Sequence, residues 1–271
     1  MGNLLINRQP IFGLLCVFAM AFLLCGSPAL AADIPAIAAA ADLKFALTEI
    51  ADAFQAETGK SLKLSFGSSG NFTHQIEQGA PFELFLSADE NYVFRLAELG
   101  LTRDRGAPYA IGRVGIFVPH GSTLTADANL KDLTAALADG RIWRFAIANP
   151  EHAPYGRAAQ EALKTAGLWD KIKPNLVLGE NASQAMQFAA SGASQGGIVP
   201  LSLSLVPQIA SLGLFALLPA EWHAEEPLHQ RMVLTRSAGT TAEAFFVYLQ
   251  QPAAREIYQS YGFSLPKGND K

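Results

Sequence analysis

The stretch LKLSFGSSGNFTHQIEQGAPFELFLSADE, residues 62–90, contains the pattern that decides the fold. Leucine and phenylalanine alternate with other residues over 62–66, which is typical of a half-buried strand. A Gly-Ser-Ser-Gly turn then leads into a helix predicted over 71–78, which a glycine ends. A second strand is predicted over 82–86 and a second helix over 89–99. Short strands separated by helices indicate an α/β fold with parallel pairing.

The same alternation continues in both directions along the chain. Further strands are predicted at 34–39, 114–118, 145–148, 176–178, 197–199, 214–218 and 232–235, and further helices at 43–54, 130–137, 157–166, 183–190, 241–249 and 253–261. The pattern therefore predicts mainly parallel sheets flanked by helices. The chain has 271 residues, a length that fits two compact lobes better than one.

The lobe boundaries carry no Gly/Ser-rich linker. We therefore expect extended crossover segments, for which 109–118 and 228–234 are the candidates. The predicted organisation is a leader at 1–31, lobe I from 32–112 and 228–271, and lobe II from 113–227.

The N-terminal segment has the pattern of a secretory signal peptide. Residues 11–24 are almost wholly apolar, and Ala29 and Ala31 have the small-residue spacing of a cleavage site after Ala31. The apolar run is shorter than the roughly 20 residues that a membrane span needs. We therefore expect export to the periplasm rather than a membrane anchor.

Composition excludes several kinds of chemistry. Both cysteines, Cys16 and Cys25, lie in the predicted leader, so thiol catalysis and cysteine-based metal sites are excluded in the mature chain. The net charge is −4 with no Lys/Arg cluster, which argues against a nucleic-acid partner. The 5 histidines are not paired at metal-ligand spacing. No cofactor and no direct metal-cation ligand are expected, and His152 is predicted to brace a loop.

Four strand-to-helix junctions combine small residues with an immediate helix start: 39–43, 67–71, 149–156 and 179–184. A helix N-terminus offers unpaired N–H groups and a partial positive charge, which together bind anions. Ligands of parallel α/β sheets bind where strands end and helices begin. Two junctions fall in each half, so closing the halves could surround one small anion. The alternative is that all four are ordinary helix caps, since Ser, Asp and Asn are common cap residues.

These stretches resemble the periplasmic molybdate-binding proteins of ABC importers over nearly the whole mature chain. The specific parts are Gly79–Asp89 (GAPFELFLSAD) and Asn149–Gly156 (NPEHAPYG), supported by 39–43, 67–70 and 261–263. The resemblance implies a two-lobed periplasmic-binding-protein fold of type II, with the ligand cleft between the lobes. It also implies a monomeric receptor without enzymatic activity, which captures molybdate or tungstate and delivers this small oxyanion to the membrane permease of an ABC importer.

Transferred by position, the resemblance implies oxyanion contacts from five residues: Asp42, Ser68, Ser69, Tyr155 and Ala182. Two positions depart from the pattern. Some members have Ser or Asn where this chain has Asp42, and some supply a Tyr hydroxyl where this chain has Pro200.

Asp42 is unexpected in an anion site. A carboxylate 4 Å from one negative charge is repelled by ~4 kcal/mol at an effective dielectric of 20. We therefore expect Asp42 to turn away from the ligand and cap the helix that starts at Leu43, accepting from the N–H of Lys44 or Phe45.

Three rival functions stay open. One is a receptor for sulfate, phosphate or another small anion, whose binding cavity would differ in size from that of a molybdate receptor. Another is a secreted hydrolase using Ser68 or Ser69, although neither serine has the flanking glycines of a nucleophile elbow and the histidines are expected to be unpaired. A ligand-sensing module is the third, although no signalling or DNA-binding domain accompanies the fold.

Overall fold

The computed structural model describes residues 1–3 and 34–266. The predicted leader with its cleavage site and both cysteines lies outside the described residues. None of the helices in the described part of the chain has both the length and the apolar character needed to cross a membrane.

Residues 34–266 form two five-stranded sheets with helices packed on them. The first sheet has the order β2-β1-β3-β10-β4, and its strands are β1 (Ala36–Ala40), β2 (Lys63–Gly67), β3 (Phe82–Ser87), β4 (Ala107–Ile111) and β10 (His229–Leu234). The second sheet has the order β7-β6-β8-β5-β9, and its strands are β5 (Val114–Pro119), β6 (Phe145–Ala148), β7 (Leu176–Gly179), β8 (Gly197–Pro200) and β9 (Gly213–Leu217). The two-lobed α/β fold is confirmed.

All eight predicted helices form, and the described residues contain three further short helices. The helices are α1 (Lys44–Thr58), α2 (Ser69–Glu77), α3 (Glu90–Glu98), α4 (Lys131–Ala138), α5 (Pro154–Thr165), α6 (Trp169–Ile172), α7 (Ala182–Ala190), α8 (Leu201–Ser204), α9 (Pro207–Ala210), α10 (Thr240–Tyr248) and α11 (Pro252–Ser260). The short helices α6, α8 and α9 are additional to the prediction. Short 3₁₀ turns occupy Ala41–Leu43, Lys173–Asn175 and Ala220–His223.

Both sheets are mixed, where the sequence predicts mainly parallel ones. Strand β1 pairs in parallel with β2 and β3, whereas β10 is antiparallel to β3 and β4. The second sheet repeats this plan, with β5 antiparallel to β8 and β9. The reason lies in the crossovers. The parallel strands of each sheet end at the edge that faces the other sheet. A strand that enters from the other sheet begins at this same edge, so it runs antiparallel to them.

The crossover segments lie side by side. The chain passes from β4 to β5 through residues 112–113, and returns into β10 through Leu228. The N–H of Gly112 donates to the carbonyl of Leu228 at 3.0 Å. The two sheets separate the chain close to the predicted boundaries at 112/113 and 227/228, which stay a prediction.

Each sheet has its own apolar packing. In β1, Ile37 and Ala39 face the cluster that includes Leu47, while Ala38 faces the opposite layer with Phe85, as the two-residue period of a strand requires. Packing against the faces of the sheets fixes the positions of the strand ends, and the site lies at these ends.

Candidate functional site

Four helix starts converge on one small cavity between the two sheets. It offers about 190 Å³ of space between atoms, in part open to solvent, and is lined by Ala40, Ala41, Asp42, Gly67, Ser68, Ser69, Ala88, Ala153, Pro154, Tyr155 and Ala182. The cavity is small, on the scale of an ion of a few atoms rather than of a drug-sized ligand. All five residues predicted to contact the ligand line it. Pro200 is not among the lining residues; it ends β8 and is the N-cap of α8.

The turn between β2 and α2 presents two serines. Ser68 is the N-cap of α2, and its Oγ accepts from the N–H of Asn71 at 3.3 Å. Ser69 is fully buried, and its Oγ accepts from the N–H of Ala88 at 3.0 Å. A hydroxyl that accepts one bond still has its own proton to donate. Both serines can therefore donate to an anion in the cavity.

The second lobe contributes the N-termini of α5 and α7. Helix α5 begins at Pro154, which has no N–H, so the first backbone donor of this helix is that of Tyr155. Helix α7 begins at Ala182, after Asn181 caps the N–H of Gln184 at 3.1 Å. First-turn N–H groups have no acceptor inside their own helix. The backbone donors of Tyr155 and Ala182 therefore complement those of the serines.

The predicted capping role of Asp42 is wrong. Helix α1 begins at Lys44 without a side-chain cap. Asp42 Oδ2 accepts instead from the Tyr155 hydroxyl at 2.9 Å and from Gln230 Nε2 at 2.6 Å. The carboxylate sits in a 3₁₀ turn rather than at the start of α1, so its side chain is directed toward the second lobe and β10 instead of back along the helix.

A buried polar network supports this carboxylate. Gln230 is wholly buried, and its Oε1 accepts from the Tyr109 hydroxyl at 2.6 Å. The Tyr109 hydroxyl also lies 3.2 Å from the carbonyl oxygen of Ser87. The chain of bonds therefore runs from the end of β3 through β4 and β10 to Asp42 and across to α5. Gln230 is held in the one amide orientation that donates to Asp42.

Burial dominates the electrostatics of this network. Burial raises the pKa of Asp42 to about 6, against the smaller lowering effects of its bonds to Gln230 and Tyr155. Burial, followed by the charge of Asp42, raises the pKa of the Tyr155 hydroxyl well above its ordinary value. The pKa of Tyr109 is raised well above its ordinary value by the same two causes in the same order. Both tyrosines are therefore neutral donors at physiological pH.

Hydrogen bonds join the lobes around the cavity. The N–H of Gly70 donates to the carbonyl of His152 at 2.9 Å. Ser183 Oγ donates to the carbonyl of Ala41, also at 2.9 Å. Ser202 Oγ donates to the carbonyl of Asp42 at 2.9 Å. Through these contacts the two lobes are closed against each other.

Arg157 adds a charged contact at the rim. Its guanidinium bonds the N-cap carboxylate Asp89 and, at 2.9 Å, the Tyr92 hydroxyl, both on the first lobe. It also bonds Glu226 at 2.9 Å. Arg157 thus joins the two lobes without lining the cavity.

His152 contacts the serine turn, in line with its predicted bracing role. Its Nδ1 lies 3.0 Å from Ser68 Oγ, and its Nε2 is 3.6 Å from a carboxylate oxygen of the largely exposed Glu180. A Ser–His–Glu relay would need a hydrogen bond at each step. The 3.6 Å separation is too long for one. Ser68 is moreover held as a helix cap, so His152 braces the turn rather than activating it.

Among the described residues, no Lys, Arg or His lines the cavity. Asp42 and Tyr155 are the ionisable residues among those that line it. Within residues 1–3 and 34–266, no three His, Cys, Asp or Glu side chains are grouped as a metal site. Neutral hydrogen-bond donors therefore dominate the cavity.

Sequence reasoning missed the partners of Asp42. Gln230 lies 188 positions from Asp42 along the chain, and Tyr155 lies 113 positions away. Buried Tyr109 and Gln230 stand in extended segments without any local pattern that marks them. Arg157 was likewise not singled out, although it is the first charged residue of α5 after the predicted junction.

Comparison with known proteins gives consistent results. The family model described as bacterial extracellular solute-binding protein matches residues 36–264. The molybdate-binding protein ModA of Rhodobacter capsulatus is 34% identical over 239 residues, covering 87% of this chain and 90% of the relative. ModA of Escherichia coli (strain K12) is 32% identical and covers 84% and 87%.

Solved structures agree. The periplasmic molybdate-binding protein of Azotobacter vinelandii superposes with a TM-score of 0.76 at 30% identity, covering 86% of this chain and 100% of that chain. The similarity thus extends over both sheets and all four helix starts.

Proposed function

This chain belongs to the bacterial extracellular solute-binding proteins and, within them, to the family of the molybdate-binding ModA relatives, and we propose that it captures molybdate for the membrane permease of an ABC importer. The observation that carries the proposal is the cavity of about 190 Å³ at which the helix starts of both lobes meet. Tungstate, with the same charge and shape, is the second ligand that the proposal includes. The site of action is the periplasm, reached through the leader at 1–31.

The proposed ligand contacts follow from the chemistry of the lining. Ser68 and Ser69 offer hydroxyls, while Tyr155 and Ala182 offer backbone N–H groups at helix starts. Helix N-termini stabilise negative charge without a counter-ion. Because the donors are fixed in rigid elements, cavity size separates molybdate and tungstate from the smaller sulfate.

Capture requires that the lobes open and close. We propose that the lobes comprise 32–112 with 228–271, and 113–227, and that they hinge at residues 112–113 and 228. The bonds from Gly70 to His152 and from Ser183 to Ala41 join the two lobes, so opening of the lobes would break them. The anion would be released at the permease when these bonds break. The protein acts as a monomer and needs no cofactor.

No covalent chemistry is proposed. Ser68 is held as a helix cap, and the closed cavity leaves no room for an ester of ordinary size. Hydrolysis of a chromogenic ester by the wild type, lost in Ser68→Ala, would contradict this.

A thermal-shift panel tests the ligand assignment. Mature protein freed of bound anion is heated with molybdate, tungstate, sulfate and phosphate in turn. A ligand at a hundred times its dissociation constant stabilises the folded state by ~2.7 kcal/mol. Molybdate and tungstate should raise the melting temperature, while equal sulfate should not. A larger shift with sulfate or phosphate would replace molybdate as the ligand.

A further inference from the structure

The Asp42 carboxylate is an unusual component of an anion site. It is 1% exposed and lines the cavity. Its Oδ2 accepts two hydrogen bonds, from Tyr155 and Gln230. Its Oδ1 is buried and makes no hydrogen bond of acceptable geometry among the described residues, although the backbone N–H groups of Asp42 and Leu43 lie close enough to the carboxylate to lower its pKa slightly. A buried acceptor without a partner is costly, which indicates that something not yet counted satisfies it.

The groups that face Asp42 leave its charge uncompensated. Tyr155 on α5 and Tyr109 on β4 are neutral hydroxyls, and Gln230 on β10 is a neutral amide. On α7 and α8, Ser183 and Ser202 donate to backbone carbonyls rather than to the carboxylate.

Two basic side chains are near Asp42 in sequence or in space. Lys44 on α1 is exposed and does not line the cavity. From the loop before α5, the ring of His152 contacts Ser68 Oγ at 3.0 Å. Neither forms a hydrogen bond with Asp42 in the described part of the chain.

A dianion in this cavity and an ionised Asp42 would repel each other strongly, because like charges that share a desolvated site cannot both stay ionised. One proton must therefore join the pair. Oδ2 is engaged as an acceptor by two donors, whereas Oδ1 is free to carry the proton. A protonated Oδ1 becomes a further neutral donor, of the same kind as the rest of the lining.

We propose that oxyanion binding is coupled to the uptake of one proton from solvent, held on Asp42 Oδ1 and donated as a hydrogen bond to the bound anion. This inference rests on the proposed function. It specifies the ligand as a fully deprotonated tetrahedral dianion, because an anion with its own O–H would instead donate to an ionised carboxylate. Burial, which already raises the pKa of Asp42 to about 6, favours the same outcome.

Isothermal titration calorimetry tests the coupling. Molybdate is titrated into mature protein at pH 7.5 in two buffers with different heats of ionisation, and the difference in heat gives the number of protons taken up. The expected number is close to one per anion. The apparent Kd should rise about tenfold per pH unit between pH 7 and 8.5.

Asp42→Asn supplies the matched variant, since Asn keeps an oxygen for Tyr155 and Gln230 and places an N–H₂ where the proton would be. It should take up no proton and show a Kd that is independent of pH. At pH 8 it should bind about 100-fold more tightly than wild type, two pH units above the free carboxyl. His152→Gln removes the imidazole that contacts Ser68 beside the cavity, and proton uptake should persist in this variant.

The outcomes separate the two claims. Molybdate binding without proton uptake, or uptake that persists in Asp42→Asn, would overturn the coupling and leave the receptor function standing. Preferential binding of hydrogen phosphate without proton uptake would also overturn it. If wild type and variant bound no oxyanion at any pH, the receptor function would fail and this inference with it.

Discussion

The burial of Asp42 predicts how the stability of the ligand-free protein depends on pH. Its folded pKa of about 6 lies above the ordinary value of 3.8. An acid with a raised pKa binds its proton more tightly when folded, so the folded state is penalised once the group ionises. The penalty is absent below the unfolded pKa, grows as pH rises, and is complete above the folded pKa.

The magnitude follows from the size of the shift. Each pKa unit is worth 1.36 kcal/mol, so the difference between 3.8 and about 6 corresponds to ~3 kcal/mol. Asp42 is 1% exposed, so solvent screening does not reduce this figure. Roughly 2 kcal/mol of it develops between pH 4 and pH 7.5. Asp42→Asn does not titrate and escapes the penalty.

The assay is urea unfolding of anion-free protein, followed by tryptophan fluorescence at pH 4, 5, 6 and 7.5. The stability of Asp42→Asn relative to wild type should grow by ~2 kcal/mol across this range, whatever the constant offset from the new amide. Asp52→Asn, on the exposed face of α1, controls for the loss of a negative charge. A stability difference that does not change with pH would refute the burial of an ionised carboxyl at this position.

Three further predictions concern closure, binding and export. In Gly70→Ala the new Cβ would lie 2.6 Å from the carbonyl oxygen of His152, so the variant should fold normally yet lose at least tenfold in molybdate affinity, measured by calorimetry. Unchanged affinity would show that the lobes need not close at this contact. Ser69→Ala removes a hydroxyl that the N–H of Ala88 also uses, and should weaken binding by one to two orders of magnitude, since hydrogen bonds to charged groups are worth roughly 1.5–3 kcal/mol. Wild-type affinity in that variant would place the anion elsewhere. Mass spectrometry of protein from its native periplasm should give Ala32 as the first residue, and intact residues 1–31 would contradict the predicted leader.

The secondary structure could be predicted closely where the signals are local. The strand at 145–148 and the helix at 183–190 lie within one residue of β6 and α7. Helix α5 begins three residues before the predicted 157, because Pro154 is an effective first residue of a helix. Strand β4 was missed because Pro108 argues against a strand. Its place at the edge of the sheet makes the proline tolerable.

The positions of the candidate site could also be predicted, since Ser68, Ser69, Tyr155 and Ala182 stand at strand-to-helix junctions that are visible in the sequence. Parallel strands direct their ends to one side of a sheet, so local patterns already imply that such junctions meet. The resemblance to molybdate-binding proteins then selected the class of ligand. Neither the local patterns nor the resemblance could predict the hydrogen-bond partners of Asp42.

The sequence by itself determined the alternation of strands and helices, the junctions that line the cavity, and the family of the protein, because each depends on residues close together in the chain or on matched motifs. Only the tertiary structure decided that Asp42 leaves α1 uncapped and bonds Tyr155 and Gln230, at separations of 113 and 188 residues. The local sequence does not distinguish a carboxyl group that caps a helix from one that joins a distant hydrogen-bond network. The choice depends on which donors the closed lobes bring within about 3 Å, and no pattern along the chain encodes that distance.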